Sequence, residues 1–133
     1  MITESQIHEL FESAKLASRN SHSPYSRFAV GAAVLTPDGR IYLGTNVENA
    51  SYGLTICAER VAICSAVTAG AKNIVAIAVS AKNASVTPCG ACRQFIAEFG
   101  NDVEVVYSRG GQVVCEPISV LLPSFFSRRE LGI

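Results

Sequence analysis

The sequence predicts an α/β protein, a three-layer α/β/α sandwich in which helices cover both faces of a mixed sheet of roughly five strands. A helical pattern opens the chain, two strands joined by a tight turn follow, and helices and strands then alternate. The chain has 133 residues and contains no internal repeat or linker. We therefore expect a single domain over residues 1–133.

The N-terminal half is predicted to contain one helix and a β-hairpin. A Thr-x-x-Gln capping box precedes apolar residues at helical spacing, which indicates a helix over residues 4–18. Residues 28–35 and 40–47 have the composition of strands. The intervening Thr-Pro-Asp-Gly is a strong turn sequence, so these two strands should pair as a hairpin.

The C-terminal half is predicted to alternate between helices and strands. Helices are expected over residues 57–69 and 89–99, and each is followed by a glycine that can end it. The apolar run at residues 74–79 is typical of a central strand buried on both faces. Three shorter elements complete the prediction: strands at 103–107 and 113–115, and a helical turn at 118–122.

Composition argues against several classes of partner. The chain has 11 basic and 11 acidic residues, and its longest basic run is Arg128-Arg129. Polynucleotides and anionic membranes usually require a basic surface, so we expect no nucleic-acid or membrane partner. We find no signal-peptide pattern and no run of about eighteen apolar residues. Because the five cysteines are an odd number, a complete disulfide framework fits poorly, and we expect a reducing, cytoplasmic setting.

Three cysteines and a glutamate form the most specific chemical pattern in the sequence. Glu59 follows Cys57 by two residues, and Pro-Cys-Gly-Ala-Cys, which contains Cys89 and Cys92, comes about thirty residues later. Cys57 and Cys89 open predicted helices, where free amides and the helix dipole favour the thiolate. Three thiolates can hold one zinc ion and leave its fourth position to water, on which Glu59 can act. This order of residues is the signature of zinc deaminases.

Arg60 directly follows the glutamate. Zinc with three thiolates carries a net negative charge, which weakens it as a Lewis acid. A guanidinium that donates hydrogen bonds to the ligand sulfurs would offset that charge. A solvated helix arginine is the other interpretation, and the sequence alone gives the two about equal weight.

Two other interpretations of the cysteines remain open from spacing alone. Cys-Gly-Ala-Cys is compatible with a redox dithiol, although that leaves Cys57 and Glu59 unexplained. A purely structural zinc needs a fourth ligand, either Cys64 or Cys115. Cys64 lies about two helical turns from Cys57 and is too distant along the axis. Cys115 lies in an apolar stretch that favours a buried free thiol.

Five segments carry a recognisable pattern, namely Ser23–Ala33, Gly44–Tyr52, Cys57–Arg60, Pro88–Gln94 and Leu121–Phe126. In this order they resemble the small, homotetrameric cytidine deaminases of pyrimidine salvage, and the resemblance covers nearly the whole chain. It implies the cytidine deaminase fold and hydrolysis of the 4-amino group of cytidine and 2′-deoxycytidine. It also implies one zinc ion per chain, held by Cys57, Cys89 and Cys92, with Glu59 as the proton shuttle.

The resemblance implies substrate contacts for four further residues. Phe28 corresponds to an aromatic residue that packs on the pyrimidine ring. Asn46 and Glu48 correspond to a pair that hydrogen-bonds the ribose hydroxyls, and alternation along a strand end would point both to one side. Ala58 corresponds to a residue whose backbone amide contacts the base carbonyl.

The resemblance also implies that sites lie at subunit interfaces of a homotetramer. Tyr52 and Phe126 correspond to residues that reach or support a neighbouring subunit's site. The hydrophobic content of 49% is compatible with surface buried against another subunit. Phe125 stands where family members often have a small residue, which leaves the packing of the C-terminal lid open. Arg27 lies near the expected pocket without an assigned role.

Three competing functions differ in what they require. A deaminase of a nucleoside antibiotic such as blasticidin S shares the zinc motif, but Phe28, Asn46 and Glu48 favour an ordinary nucleoside. An editing deaminase of polynucleotides needs a basic groove that this composition lacks. A non-enzymatic zinc or redox module needs no Glu59.

Overall fold

The chain folds around a mixed five-stranded sheet, described for residues 1–133 by a computed structural model. The elements, in chain order, are α1 (Glu4–Ala17), β1 (Val30–Leu35), β2 (Ile41–Thr45), α2 (Ala58–Thr68), β3 (Ala76–Ala81), α3 (Gly90–Ala97), β4 (Glu104–Arg109), β5 (Gln112–Pro117), α4 (Ile118–Leu121) and α5 (Arg128–Leu131). The strand order is β2-β1-β3-β4-β5, and only β3 and β4 pair in parallel. This architecture confirms the predicted fold class.

Helices cover both faces of the sheet. The inner strands β1 and β3 are buried along their whole length, which explains their apolar sequences. Alternate residues of β1 point to opposite faces, so Ala33 packs with Leu10 of α1 and Ala32 packs in the other layer. Ile63 of α2 and Ile96 of α3 belong to that second layer.

No helix has the length and apolar character that crossing a membrane requires.

Local signals in the N-terminal half form as predicted. At the start of α1, Thr3 Oγ1 accepts a hydrogen bond from the Gln6 amide at 3.1 Å, and Gln6 Oε1 accepts one from the Thr3 amide at 2.9 Å. The turn of the hairpin closes with the Thr36 amide donating to the Arg40 carbonyl at 3.0 Å. Gly39 has a φ of 85°, which glycine adopts without steric cost.

Several boundaries differ from the sequence prediction. β1 begins at Val30 rather than residue 28, because Arg27 has a φ of 59° and turns the chain before the strand. β3 runs from Ala76 to Ala81 instead of 74–79. The short helix α5 was not predicted, although Ser127 and Glu130 form a capping box at its start.

Two glycines let helices lie directly on the sheet. A Cβ at Gly31 would lie 2.0 Å from the Ala14 carbonyl oxygen of α1. A Cβ at Gly44 would lie 2.3 Å from the Ala62 amide nitrogen and 2.6 Å from the Ala58 carbonyl oxygen of α2. Because these contacts are with backbone, a side chain at either position forces the helix away from the strand.

Gly44→Ala should lower the free energy of unfolding by about 2 kcal/mol, because α2 must move off β2. Gly53→Ala is the matched control, since a Cβ at Gly53 meets nothing within 4 Å, and its effect should stay within about 0.5 kcal/mol. Urea unfolding at one fixed protein concentration measures both. Equal midpoints for the two variants would contradict the close approach.

Candidate active site

The N-termini of α2 and α3 bring three thiols together. Cys57 is the N-cap residue of α2, Cys89 is the N-cap residue of α3, and Cys92 lies in the first turn of α3. All three Sγ atoms lie within 4.8 Å of one another, and those of Cys57 and Cys89 are 3.8 Å apart. Tetrahedral zinc with Zn–S bonds of about 2.3 Å separates its ligand sulfurs by about 3.8 Å. The donor set and its spacing therefore fit zinc.

Hydrogen bonds at this cluster favour the metal-binding thiolate. The Cys92 amide donates to Cys89 Sγ at 3.5 Å, and Arg60 Nη2 donates to Cys57 Sγ at 3.5 Å. The hydrogen bond from the Cys92 thiol, followed by that from Arg60, lowers the pKa of Cys57 to about 5. The same thiol–thiolate bond, together with burial, raises the pKa of Cys92. These contacts therefore favour the thiolate at Cys57.

Glu59 lies in the first turn of α2, beside the cysteine cluster, and is only 4% exposed. Burial, with a smaller contribution from the negative charge of Cys57, raises the pKa of Glu59 to about 7. A carboxyl group with that pKa can both take up and release a proton near neutral pH. The preceding residue, Ala58, is the first of the helix, and its amide has no intrahelical acceptor.

The guanidinium of Arg60 packs against the cysteines instead of extending into solvent. Besides the bond from Nη2 to Cys57, its Nε atom is buried and has no hydrogen-bond partner. Of the two interpretations that the sequence left open, this geometry favours the one in which Arg60 offsets the charge of the ligand sulfurs.

Asn46 ties the end of β2 to the start of β1. Its side-chain oxygen accepts hydrogen bonds from the Val30 amide at 3.0 Å and from the Ser21 hydroxyl. Its side-chain nitrogen donates to the Phe28 carbonyl at 2.8 Å. The residue is 8% exposed, and the carboxamide nitrogen donates one of its two N–H groups within the chain.

Glu48 shapes the loop that precedes β1. One carboxylate oxygen accepts hydrogen bonds from the amides of Tyr25 at 2.9 Å and Ser26 at 3.2 Å, and the other accepts from the Ser26 hydroxyl. The Ser26 hydroxyl is the main reason that the pKa of Glu48 is lowered. The loop, with Arg27 in the left-handed region, leaves Phe28 42% exposed.

Three aromatic side chains of the predicted site project from the surface. Besides Phe28, Tyr52 is 74% exposed and Phe126 is 58% exposed. The Tyr52 ring packs edge-on against Tyr25, with ring centres 5.7 Å apart. Phe125 turns inward and packs against the core. Phe28, Tyr52 and Phe126 are therefore open to contacts from outside the single chain.

The structure provides no fourth protein ligand for a metal. Cys64 is exposed on α2, and Cys115 is a free, partly buried thiol that donates to Glu104 Oε2 at 2.7 Å. The only group of three or more metal-binding side chains is that of the three predicted cysteines. A redox dithiol needs no third cysteine, so the position of Cys57 argues against that interpretation.

Sequence reasoning missed the residues that hold the substrate-site side chains in place. Ser21 and Ser26 bond Asn46 and Glu48, respectively, yet in the sequence they are only part of a turn-rich loop. Their partners lie more than twenty residues away along the chain, with separations of 25 and 22 residues. Short-range patterns carry no information on pairs this distant.

Comparisons with known proteins agree with this site. A sequence model of the cytidine and deoxycytidylate deaminase zinc-binding region matches residues 4–109. The chain is 44% identical to a probable cytidine deaminase of Dictyostelium discoideum, over 98% of this chain and 90% of that protein. It is also 44% identical to a cytidine deaminase of Sporosarcina psychrophila, over 95% of each.

A solved structure shares the fold. The crystal structure of cytidine deaminase from Burkholderia pseudomallei superposes with a TM-score of 0.84 and 45% sequence identity. The superposition covers 94% of this chain and 100% of that one. At this identity and coverage, the likeness extends beyond the fold to the family.

Cys89→Ser should lower the zinc content from about one ion per chain to a small fraction, because two thiolates alone hold the ion weakly. Cys64→Ser is the matched control, since Cys64 is an exposed cysteine outside the cluster, and it should keep the wild-type content. Elemental analysis after dialysis against a mild chelator measures both. A fully metallated Cys89→Ser protein would remove Cys89 from the ligand set.

Proposed function

The chain belongs to the cytidine and deoxycytidylate deaminase family, and from this premise we propose that it hydrolyses the 4-amino group of cytidine and 2′-deoxycytidine. The products are uridine or 2′-deoxyuridine and ammonia. The observation that carries this proposal is the buried carboxyl group of Glu59 beside three converging thiols. This combination supplies a metal and a proton carrier to one reacting centre.

Cys57, Cys89 and Cys92 hold the zinc ion. When bound, zinc supplies Lewis acidity that makes a water molecule a stronger nucleophile near neutral pH. Arg60 donates a hydrogen bond to the Cys57 sulfur, which moderates the negative charge that three thiolates bring.

Glu59 moves two protons in the reaction. Its carboxylate takes a proton from the attacking water and delivers it to the ring nitrogen beside the reacting carbon, which makes that carbon more electrophilic. The water oxygen bonds to that carbon, and Glu59 then moves the proton that remains on this oxygen to the amino group. The carbon–nitrogen bond breaks, ammonia leaves and the new carbonyl forms. A pKa of about 7 suits both transfers, because the group releases a proton as readily as it accepts one.

The loops around β1 and β2 recognise the nucleoside. The exposed ring of Phe28 stacks on the pyrimidine, and the amide of Ala58 donates to the base carbonyl. The second N–H of Asn46 and the remaining acceptor capacity of Glu48 bind adjacent sugar hydroxyls. The hydrogen bonds that hold Asn46 and Glu48 support this assignment, since they fix both groups before substrate arrives.

Glu59→Gln should retain about one zinc ion per chain and lose at least about a thousand-fold in kcat for cytidine, because the amide cannot carry protons. Glu12→Gln, a change of the same size on the exposed face of α1, should leave both unchanged. Loss of ultraviolet absorbance on cytidine deamination measures turnover, and elemental analysis measures zinc.

The same assay tests the substrate class in wild-type protein. Cytidine and 2′-deoxycytidine should be turned over, whereas cytidine monophosphate and blasticidin S should not. Turnover of blasticidin S alone would replace the proposal with the antibiotic deaminase. Absence of ammonia from every compound in zinc-loaded protein would favour a non-enzymatic zinc module.

We further propose that the enzyme is a homotetramer that serves pyrimidine salvage in the cytoplasm, with sites at subunit interfaces. An apolar groove of about 510 Å³ between α2 and α3 supports the assembly, and it is lined by side chains that include Val67 and Phe95. These two residues are 47% and 38% exposed in the single chain. The exposed Tyr52 and Phe126 would then complete a neighbour's site. The five free cysteines are compatible with a reducing compartment.

Phe95→Glu should dissociate the tetramer, because it introduces a charge into the apolar groove. Leu16→Glu is the control, since this residue is 53% exposed on α1 across the sheet, and it should leave assembly intact. Light scattering coupled to gel filtration should give four times the chain mass for wild type and for the control. A wild-type protein that elutes with the mass of one chain would overturn the assembly.

A further inference from the structure

Arg93 joins the metal-binding loop to the C-terminal part of the chain. Its Nε donates to the Pro88 carbonyl at 2.9 Å, directly before the ligand Cys89. Its Nη1 donates to the Leu121 carbonyl, at the end of α4, at 2.7 Å. A longer contact of 3.4 Å links Nη2 to the Thr87 hydroxyl. One half-buried guanidinium therefore contacts both segments at once.

Gln94 holds the same C-terminal segment two residues after the ligand Cys92. Its side-chain amide donates to the Phe126 carbonyl at 2.8 Å. Arg128 further along pairs with Glu98 at 3.4 Å, but both side chains are more than half exposed, so this ion pair contributes little. The segment from Leu121 to Arg128 thus runs along α3. It is held mainly by Arg93 and Gln94, which lie close to the ligand Cys92.

The chemistry of these acceptors explains why an arginine is required. The Leu121 carbonyl lies at a helix C-terminus, where the carbonyls have no intrahelical donor. A planar guanidinium presents donors in several fixed directions and can satisfy this carbonyl and that of Pro88 together. An ammonium group is a point charge and cannot reproduce this fixed arrangement of donors.

We infer that Arg93 and Gln94 are positioning residues, which fix the C-terminal segment carrying Phe126 to the metal-binding loop. Arg93 sets the position of Cys89 through Pro88 and of the segment through Leu121. Gln94 acts on the segment alone. The inference rests on the proposed function, because it concerns the same metal site and, through Phe126, the substrate site that this residue is proposed to complete in a neighbouring subunit.

The two residues should have separable effects. Arg93→Met should weaken zinc binding by about ten-fold or more, as is typical when a group that orients a ligand is removed. Arg93→Lys should weaken zinc binding nearly as much, because an ammonium group lacks the fixed pair of donors that contacts both carbonyls. Gln94→Met should leave zinc affinity unchanged and raise the KM for cytidine by about five-fold, the effect of one lost hydrogen bond. Arg19→Met, a change to an exposed arginine outside the site, should alter neither.

Three measurements decide the matter: zinc affinity by chelator competition, the visible spectrum of the cobalt-substituted protein, and kcat and KM for cytidine. Unchanged zinc affinity and cobalt spectrum in Arg93→Met and Arg93→Lys would overturn the role of Arg93, and an unchanged KM in Gln94→Met would overturn that of Gln94. If Arg93→Met fails to fold, Arg93→Lys and Gln94→Met carry the decision. The metal readouts need no turnover, so inactivity of wild type on cytidine would refute the proposed function while the Arg93 result stands.

Discussion

The convergence of two helix N-termini on three sulfurs is the constraint from which the rest of the site follows. Cys57 and Cys89 occupy N-cap positions, where partial positive charge and free amides stabilise thiolate. The two helices must approach one point from different parts of the chain, and the sheet fixes both. Gly44 matters to the chemistry for this reason, since it sets how closely α2 lies against β2.

Concentrating negative charge at this point creates an electrostatic conflict that the neighbouring residues resolve. Burial, and to a smaller extent repulsion from the Cys57 thiolate, raises the pKa of Glu59, so this residue holds its proton to a higher pH than an exposed glutamate does. Arg60 counters the charge on the sulfurs. A buried position in the first turn of the ligand-bearing helix therefore gives Glu59 a pKa near neutrality, which suits the proton transfers proposed for it.

The metal half of the site could be predicted from sequence, and the substrate half only in part. Cysteine spacing and helix-start signals are local, so they predicted the cluster of three thiols that the structure shows at the starts of two helices, with Glu59 beside it. The hydrogen bonds of Asn46 and Glu48 depend on the shape of a loop in which Arg27 has a left-handed conformation. No local sequence pattern predicts that conformation. Arg93 lies in a recognised segment, yet its contact with Leu121 forms only because α4 returns to the N-terminal half of α3.

This difference reflects how the two halves are built. The metal ligands lie on helices whose positions the core determines, and they need little beyond the fold. The residues proposed to bind the nucleoside lie on loops and on a C-terminal segment, which are ordered by hydrogen bonds between side chains and backbone groups far away in sequence. The aromatic residues among them also remain exposed in one chain. A single chain thus holds the residues proposed for the chemistry but leaves the walls of the site open. In the proposed assembly, a neighbouring subunit would cover these walls.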